Sequence, residues 1–134
     1  MKYFQIFKGK PNNTNSTKFC LSMENDASKS SLRNLNCSTD LFPLCKMKAN
    51  NSNAGIVLRQ EQNITNCSIG WSSYNGHCYK MFKINMTLYQ AQSFCHKQEN
   101  NSYLADIKTQ NELNWIISNF SAGYVRVWLT TLYV

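Results

Sequence analysis

Cys67-Ser68-Ile69-Gly70-Trp71, then Tyr74-Asn75-Gly76-His77-Cys78-Tyr79-Lys80, Gln90-Ala91-Gln92-Ser93-Phe94-Cys95, Tyr103-Leu104-Ala105-Asp106-Ile107 and Glu112-Leu113-Asn114-Trp115 form the stretch that decides the reading of this chain. Asn75-Gly76 supplies the two positive-φ residues of a type I′ turn, so Trp71 and Tyr79 are carried on facing arms of a hairpin with a cysteine on each arm. A bridge between Cys67 and Cys78 would close a loop of 12 residues and remove on the order of 2–3 kcal/mol of unfolded-chain freedom.

Beyond the hairpin, residues 87–98 read as a helix with Asn85 or Thr87 as its cap. Leu88, Ala91, Phe94 and Cys95 share its apolar face. Leu104 and Ile107 flank Ala105-Asp106 as a short buried segment. Thr109 and Glu112 have the spacing of a capping box, with Leu113, Ile116 and Ile117 continuing a second helix's apolar face to about Asn119. The run from Val127 to Val134 is β-prone. On the other side, Phe19 to Met23 reads as a strand, the stretch to Asn34 as polar, and Leu41-Phe42-Pro43-Leu44-Cys45-Lys46 as a closing apolar segment.

The stretch from Cys67 to Trp115 resembles the first half of a C-type lectin-like domain of the long form, with its disulfide-bonded hairpin, Ala-x-x-Phe-Cys helix and Glu-x-x-Trp helix. Trp128-Leu129-Thr130 stands where that family has Trp-Ile-Gly, Thr130 replacing the glycine. Residues 1–46 are similar to the second half: Cys20, Cys37 and Cys45 sit as its last three cysteines do. The resemblance implies an α+β, C-type lectin-like fold in inverted order: 1–46 the C-terminal half of one domain, 47–66 an Asn-rich polar linker, and 67–134 the N-terminal half of the next. Back half before front half resembles the tandem domains of the mannose receptor and secretory phospholipase receptor family.

The same resemblance implies Cys20–Cys37 and Cys67–Cys78 bridges. It leaves Cys45 and Cys95 as odd cysteines whose partners lie in the missing halves. The alternative is a Cys45–Cys95 bond that makes the chain a circularly permuted single domain.

Sugar-binding members hold Ca²⁺ with carboxylate and amide oxygens. Here the corresponding positions read Lys10-Pro11-Asn12, Lys18 and Leu32-Arg33-Asn34. Lys10, Lys18 and Arg33 repel a cation, and Asn12 and Asn34 alone offer oxygens. The resemblance therefore implies no calcium-dependent sugar binding by this half, and no cofactor.

Composition agrees with an extracellular place. Six cysteines without a Cys-x-x-Cys pair point to disulfides and not zinc. Nine Asn-x-Ser/Thr sequons occur, against roughly three by chance at this composition. Asn12, Asn15, Asn50, Asn63, Asn85, Asn100 and Asn119 are the expected glycosylation sites, while Asn36 and Asn66 have cysteine in the middle position. The apolar core of the N-terminus, Tyr3 to Phe7, is too short for a signal peptide, so a fragment of a longer secretory protein is expected, any membrane span lying outside it.

Net charge is +7, concentrated in residues 1–48, which hold eight Lys/Arg against three Asp/Glu. Such a surface invites sulfated glycans or anionic membranes. The two histidines, His77 and His96, belong to no nucleophile–base pattern, and the basic, disulfide-bonded ribonuclease reading fails for want of its signature after Cys45-Lys46. Aromatic residues are not interleaved with a basic stripe, which excludes nucleic acid. Tyr79, Phe82, Phe94, Trp115 and Trp128 fall at core-facing positions. The expected function is ligand recognition, of protein or glycan, by a multidomain endocytic receptor. The alternative is a secreted defence or venom-type protein binding anionic glycans or membranes through its basic surface.

Overall fold

The computed structural model describes residues 19–25, 30–49, 67–99, 101–120 and 125–132. Lys10, Asn12, Asn15, Lys18, Asn50, Asn63 and Asn100 lie outside them. In chain order the strands are β1 (Phe19–Asn25), β2 (Ser30–Asn36), β3 (Phe42–Lys48), β4 (Ser72–Tyr74), β5 (His77–Met81), β6 (Tyr103–Leu104), β7 (Asp106–Ile107), β8 (Val125–Trp128) and β9 (Thr131–Leu132). The helices are α1 (Leu88–Gln98) and α2 (Gln110–Asn119).

The main sheet runs β2-β1-β8-β3-β5-β4, with β6 also pairing β3, and β7 and β9 form a second, parallel pair. Strands from the two segments alternate in it. β8 of the front segment lies between β1 and β3 of the back segment, and β3 pairs in turn with β5. The sequence reading expects these segments in neighbouring domains, with a permuted single domain as the alternative; in the structure strands of both segments lie in one sheet. The reason lies in β3, whose Pro43 through Met47 are all buried. A strand apolar on both faces needs cover on both sides. Its Leu44 joins the core beneath α2 with Leu113 and Ile116, whereas Cys45 and Met47 join the core beneath α1 with Leu88 and Ala91.

Three disulfides use all six cysteines: Cys20–Cys37, Cys67–Cys78 and Cys45–Cys95. The last ties β3 to α1 across a sequence separation of 50 residues.

Locally, the Asn75-Gly76 turn has φ of 45° and 81° and joins β4 to β5. Thr87 caps α1 in a full capping box: its hydroxyl accepts from Gln90 N–H while the Gln90 side chain accepts from Thr87 N–H. Trp128 is fully buried and its indole N–H donates to Met86 O at 3.0 Å.

Four local features differ from the sequence reading. Ser30–Asn36, read as mostly polar, is a strand because every residue of it pairs with β1. β3 continues to Lys48, two residues into the stretch read as linker, because Met47 and Lys48 pair with Cys78 and His77. Thr130 is held by its own N–H to Ala105 O at 2.7 Å and its hydroxyl to Leu104 O at 2.6 Å. At α2, Thr109 accepts from Glu112 N–H as a cap should, but the Glu112 carboxylate turns to Lys108 N–H, one residue earlier than a capping box requires. Its other oxygen is committed elsewhere.

Candidate functional site

That commitment is a buried charged cluster. Lys46, on the doubly covered strand β3, is 2% exposed. Its Nζ donates to Glu112 Oε2 at 2.6 Å, Asp106 Oδ1 at 2.9 Å and Asp106 O at 2.9 Å. Tyr79 Oη, from β5, donates to the same Glu112 oxygen at 2.6 Å. Burial alone lowers an ammonium pKa, but the hydrogen bonds and charges of Glu112 and Asp106 outweigh it, and Lys46 titrates above its ordinary value. Burial, then the Glu112 hydrogen bond, pushes the Tyr79 phenol far up. Each donor is matched to an acceptor, and only Asp106, with 19% side-chain exposure, keeps contact with solvent, so the cluster works as a clamp between β3 and the front segment. Trp115, three residues on, stacks on Tyr74 at 4.8 Å and meets Tyr79 at 4.9 Å. The Glu-x-x-Trp pattern thus docks α2 on the hairpin through the Tyr79–Glu112 hydrogen bond and two ring contacts of Trp115.

A candidate ligand site lies across β2, β1 and β8, where two of the positions that the resemblance compares with calcium ligands fall. Of those residues Arg33 and Asn34 are described, both exposed on β2, while Leu32 is buried. Arg33 Nη1 lies 3.3 Å from Glu24 Oε1, and Arg126 Nε lies 3.2 Å from Glu24 Oε2. Glu24 faces Arg126 directly across β1 and β8, while Arg33 is its diagonal neighbour on β2. Two guanidiniums share one carboxylate, so these three side chains together carry a net positive charge. Such partly exposed pairs add at most about 1 kcal/mol each to stability, so the ladder costs little to rearrange around an anion. Among the described residues, no group of three or more His, Cys, Asp or Glu could hold a metal ion.

The remaining sequence candidates are dispersed. His77 opens β5, half-buried; burial and then the Lys46 charge hold its pKa below the usual value. His96 is exposed on α1. Asn85 and Asn119 are exposed, as acceptor sites require. Tyr79 and Trp128 are fully buried, and Phe82, Phe94 and Trp115 are partly buried against the core. Sequence reasoning missed the burial of Lys46 and the roles of Glu24 and Arg126. The one signal that could have found the cluster was a lone lysine within an otherwise apolar β-prone run.

No family model matches the chain, and no solved structure matches it. Among curated proteins it is similar to the snaclec crotocetin of Crotalus durissus terrificus, 46% identical over 52 residues, which are 39% of this chain and 35% of that protein. One chain of the snaclec agkisacutacin of Deinagkistrodon acutus is 42% identical over 67 residues, covering 47% of this chain and 44% of that protein. The snaclec A4 of Macrovipera lebetinus is 44% identical over 50 residues, covering 37% and 32%. The chain therefore spans less than half the length of these relatives. They support a C-type lectin-like domain family, and the mixed sheet with two helices and three disulfides fits that fold. Among the described residues no helix is long and apolar enough to cross a membrane.

Proposed function

We propose that this chain is a secreted, extracellular recognition domain of the C-type lectin-like kind that binds an anionic target, a sulfated glycan, through basic surface and without calcium. It is a binding module and not a catalyst. The observation that carries the reading is the Arg33–Glu24–Arg126 ladder, with the Arg33 guanidinium at a position where the resemblance would put a calcium-ligating oxygen. Guanidinium pairs oxyanions bidentately, which suits sulfate. Similarity to snaclecs supports this secreted reading over the receptor one. In it residues 1–46 and 67–134 act as complementary halves of one domain, a view supported by the shared sheet and the Cys45–Cys95 bond.

The test is heparin binding by calorimetry with and without a calcium chelator. Binding should persist in the chelator, weaken as salt rises, and fall at least about tenfold, or 1.4 kcal/mol, in Arg33→Ala/Arg126→Ala. Calcium-dependent binding, or no effect of the double variant, would sink the proposal.

A second reading, favoured by the back-then-front order around the polar stretch 47–66, takes the halves as parts of neighbouring domains in a tandem endocytic receptor. Peptide mapping without reduction separates the two. A Cys45–Cys95 peptide supports one domain, and partners elsewhere for both cysteines support the receptor.

A further inference from the structure

Helix α1 presents its apolar stripe, Leu88, Ala91 and Cys95, to the core. A second stripe at i, i+3, i+4 and i+7, formed by Tyr89, Gln92, Ser93 and His96, faces an open groove of about 670 Å³. Tyr103 and Leu104 from β6, Asp106 from β7, and Thr130 complete its lining. We propose that this groove is a binding site for a neutral oligosaccharide of a few rings, built from residues other than the arginine ladder and independent of it.

Charge decides the ligand class. In a chain of net charge +7, no lysine or arginine among the described residues lines this groove. The carboxylate in its wall, Asp106, is balanced from behind by Lys46 Nζ at 2.9 Å, with Lys108 Nζ 3.8 Å from the other oxygen. An anionic ligand would find no counter-charge in this lining and a cationic one only a carboxylate already paired. What the groove offers is hydrogen-bonding capacity of both signs: the Gln92 amide, the Ser93 and Tyr103 hydroxyls, the His96 imidazole and the acceptor oxygens of Asp106. Polyhydroxylated ligands need that mixture, since every hydroxyl both donates and accepts.

The remaining lining suits the C–H faces of a pyranose. Tyr89, 56% exposed, supplies one ring, Tyr103 a second, and buried Leu104 an apolar floor. Hydrogen bonding already orders Thr130, whose hydroxyl donates to Leu104 O and leaves its oxygen able to accept. The volume falls within the roughly 300–1,000 Å³ of small-molecule sites, while the openness of the groove to solvent points to weak, water-bridged binding with Kd near about 1 mM.

The experiment is amide chemical-shift mapping on the whole chain, in calcium chelator, with maltotriose, cellotriose and N-acetylchitotriose added singly to about 10 mM, ten times the Kd expected for an open site. The expected result is that at least one trisaccharide shifts the amides of Gln92, Ser93, His96, Tyr103 and Thr130. Gln92→Ala/Tyr89→Ala, both changed on the exterior of α1, should weaken this binding about tenfold. Ser93→Trp, which fills the groove from an exposed position, should abolish it should the double variant not fold. Arg33→Ala/Arg126→Ala should leave it unchanged, whatever that variant does to heparin. No shifts with any of the three sugars, shifts mapping elsewhere, or undiminished binding by Ser93→Trp would overturn the proposal.

Discussion

Replacing Lys46 by methionine removes the cation of the buried cluster while keeping most of the side chain's length and apolar bulk. Three hydrogen bonds from Nζ disappear together, but their loss is not shared equally. Asp106, with 19% side-chain exposure and Lys108 nearby, can be rehydrated. Glu112, at 7%, cannot. It keeps Tyr79 Oη and Lys108 N–H as donors, so the damage is an uncompensated charge and not an unbonded carboxylate. Breaking one partner of a buried pair costs about 3–5 kcal/mol. With two donors retained, Lys46→Met should cost about 3 kcal/mol, the low end of that range. At a urea slope of about 2 kcal/mol per molar, the midpoint should fall by about 1.5 M, with disulfides intact. The companion is Lys46→Met/Glu112→Leu, which removes the stranded charge and should cost less than Lys46→Met alone, since replacing both members of a buried pair is often close to neutral. A shift of under about 0.5 kcal/mol for the single variant, or a double variant whose cost is the sum of the two singles, would refute the argument that Glu112 is held by compensated charge.

Cys45→Ala/Cys95→Ala opens a loop of sequence separation 50; chain entropy sets the loss at about 4 kcal/mol, read as a urea midpoint. Thr87→Ala removes the α1 cap and its reciprocal Gln90 bond, costing about 1 kcal/mol in the same assay. Alkaline stability follows from Lys46, Tyr79 and Tyr103, all raised in the folded chain. A raised group contributes fully below its unfolded value and loses its contribution as pH climbs through the folded one. Stability should therefore fall above about pH 10. His77 is lowered, so its contribution is present above about pH 6.5 and lost as pH drops. His77→Gln should flatten the stability profile between about pH 7 and 5 when midpoints are followed across that range.

Local features were legible in sequence wherever one residue type has one physical use. Asn75-Gly76 demanded positive φ and makes the hairpin; Thr87 and Thr109 mark helix starts because their hydroxyls serve orphan N–H groups; Leu88, Ala91 and Cys95 recur at helical spacing and are buried. The cation at the Arg33 position was equally plain. What sequence could not reveal depended on partners far along the chain. Ser30–Asn36 is a strand only because β1 pairs with it. Glu112 reads as a capping residue until Lys46, 66 positions away, takes its other oxygen. Glu24 and Arg126 face one another solely by cross-strand register. The groove beside α1 likewise exists because β6 and β7 stand against a helix stripe that reads as solvated surface.

Sequence by itself determined the turns, the helix caps and the apolar faces, since each of these is settled within a few residues. Tertiary structure alone decided that two segments separated by a polar linker close one sheet. β3 is buried on both faces and is covered by α1, α2 and the hairpin, all far along the chain from it, an arrangement that no local stretch of the chain expresses.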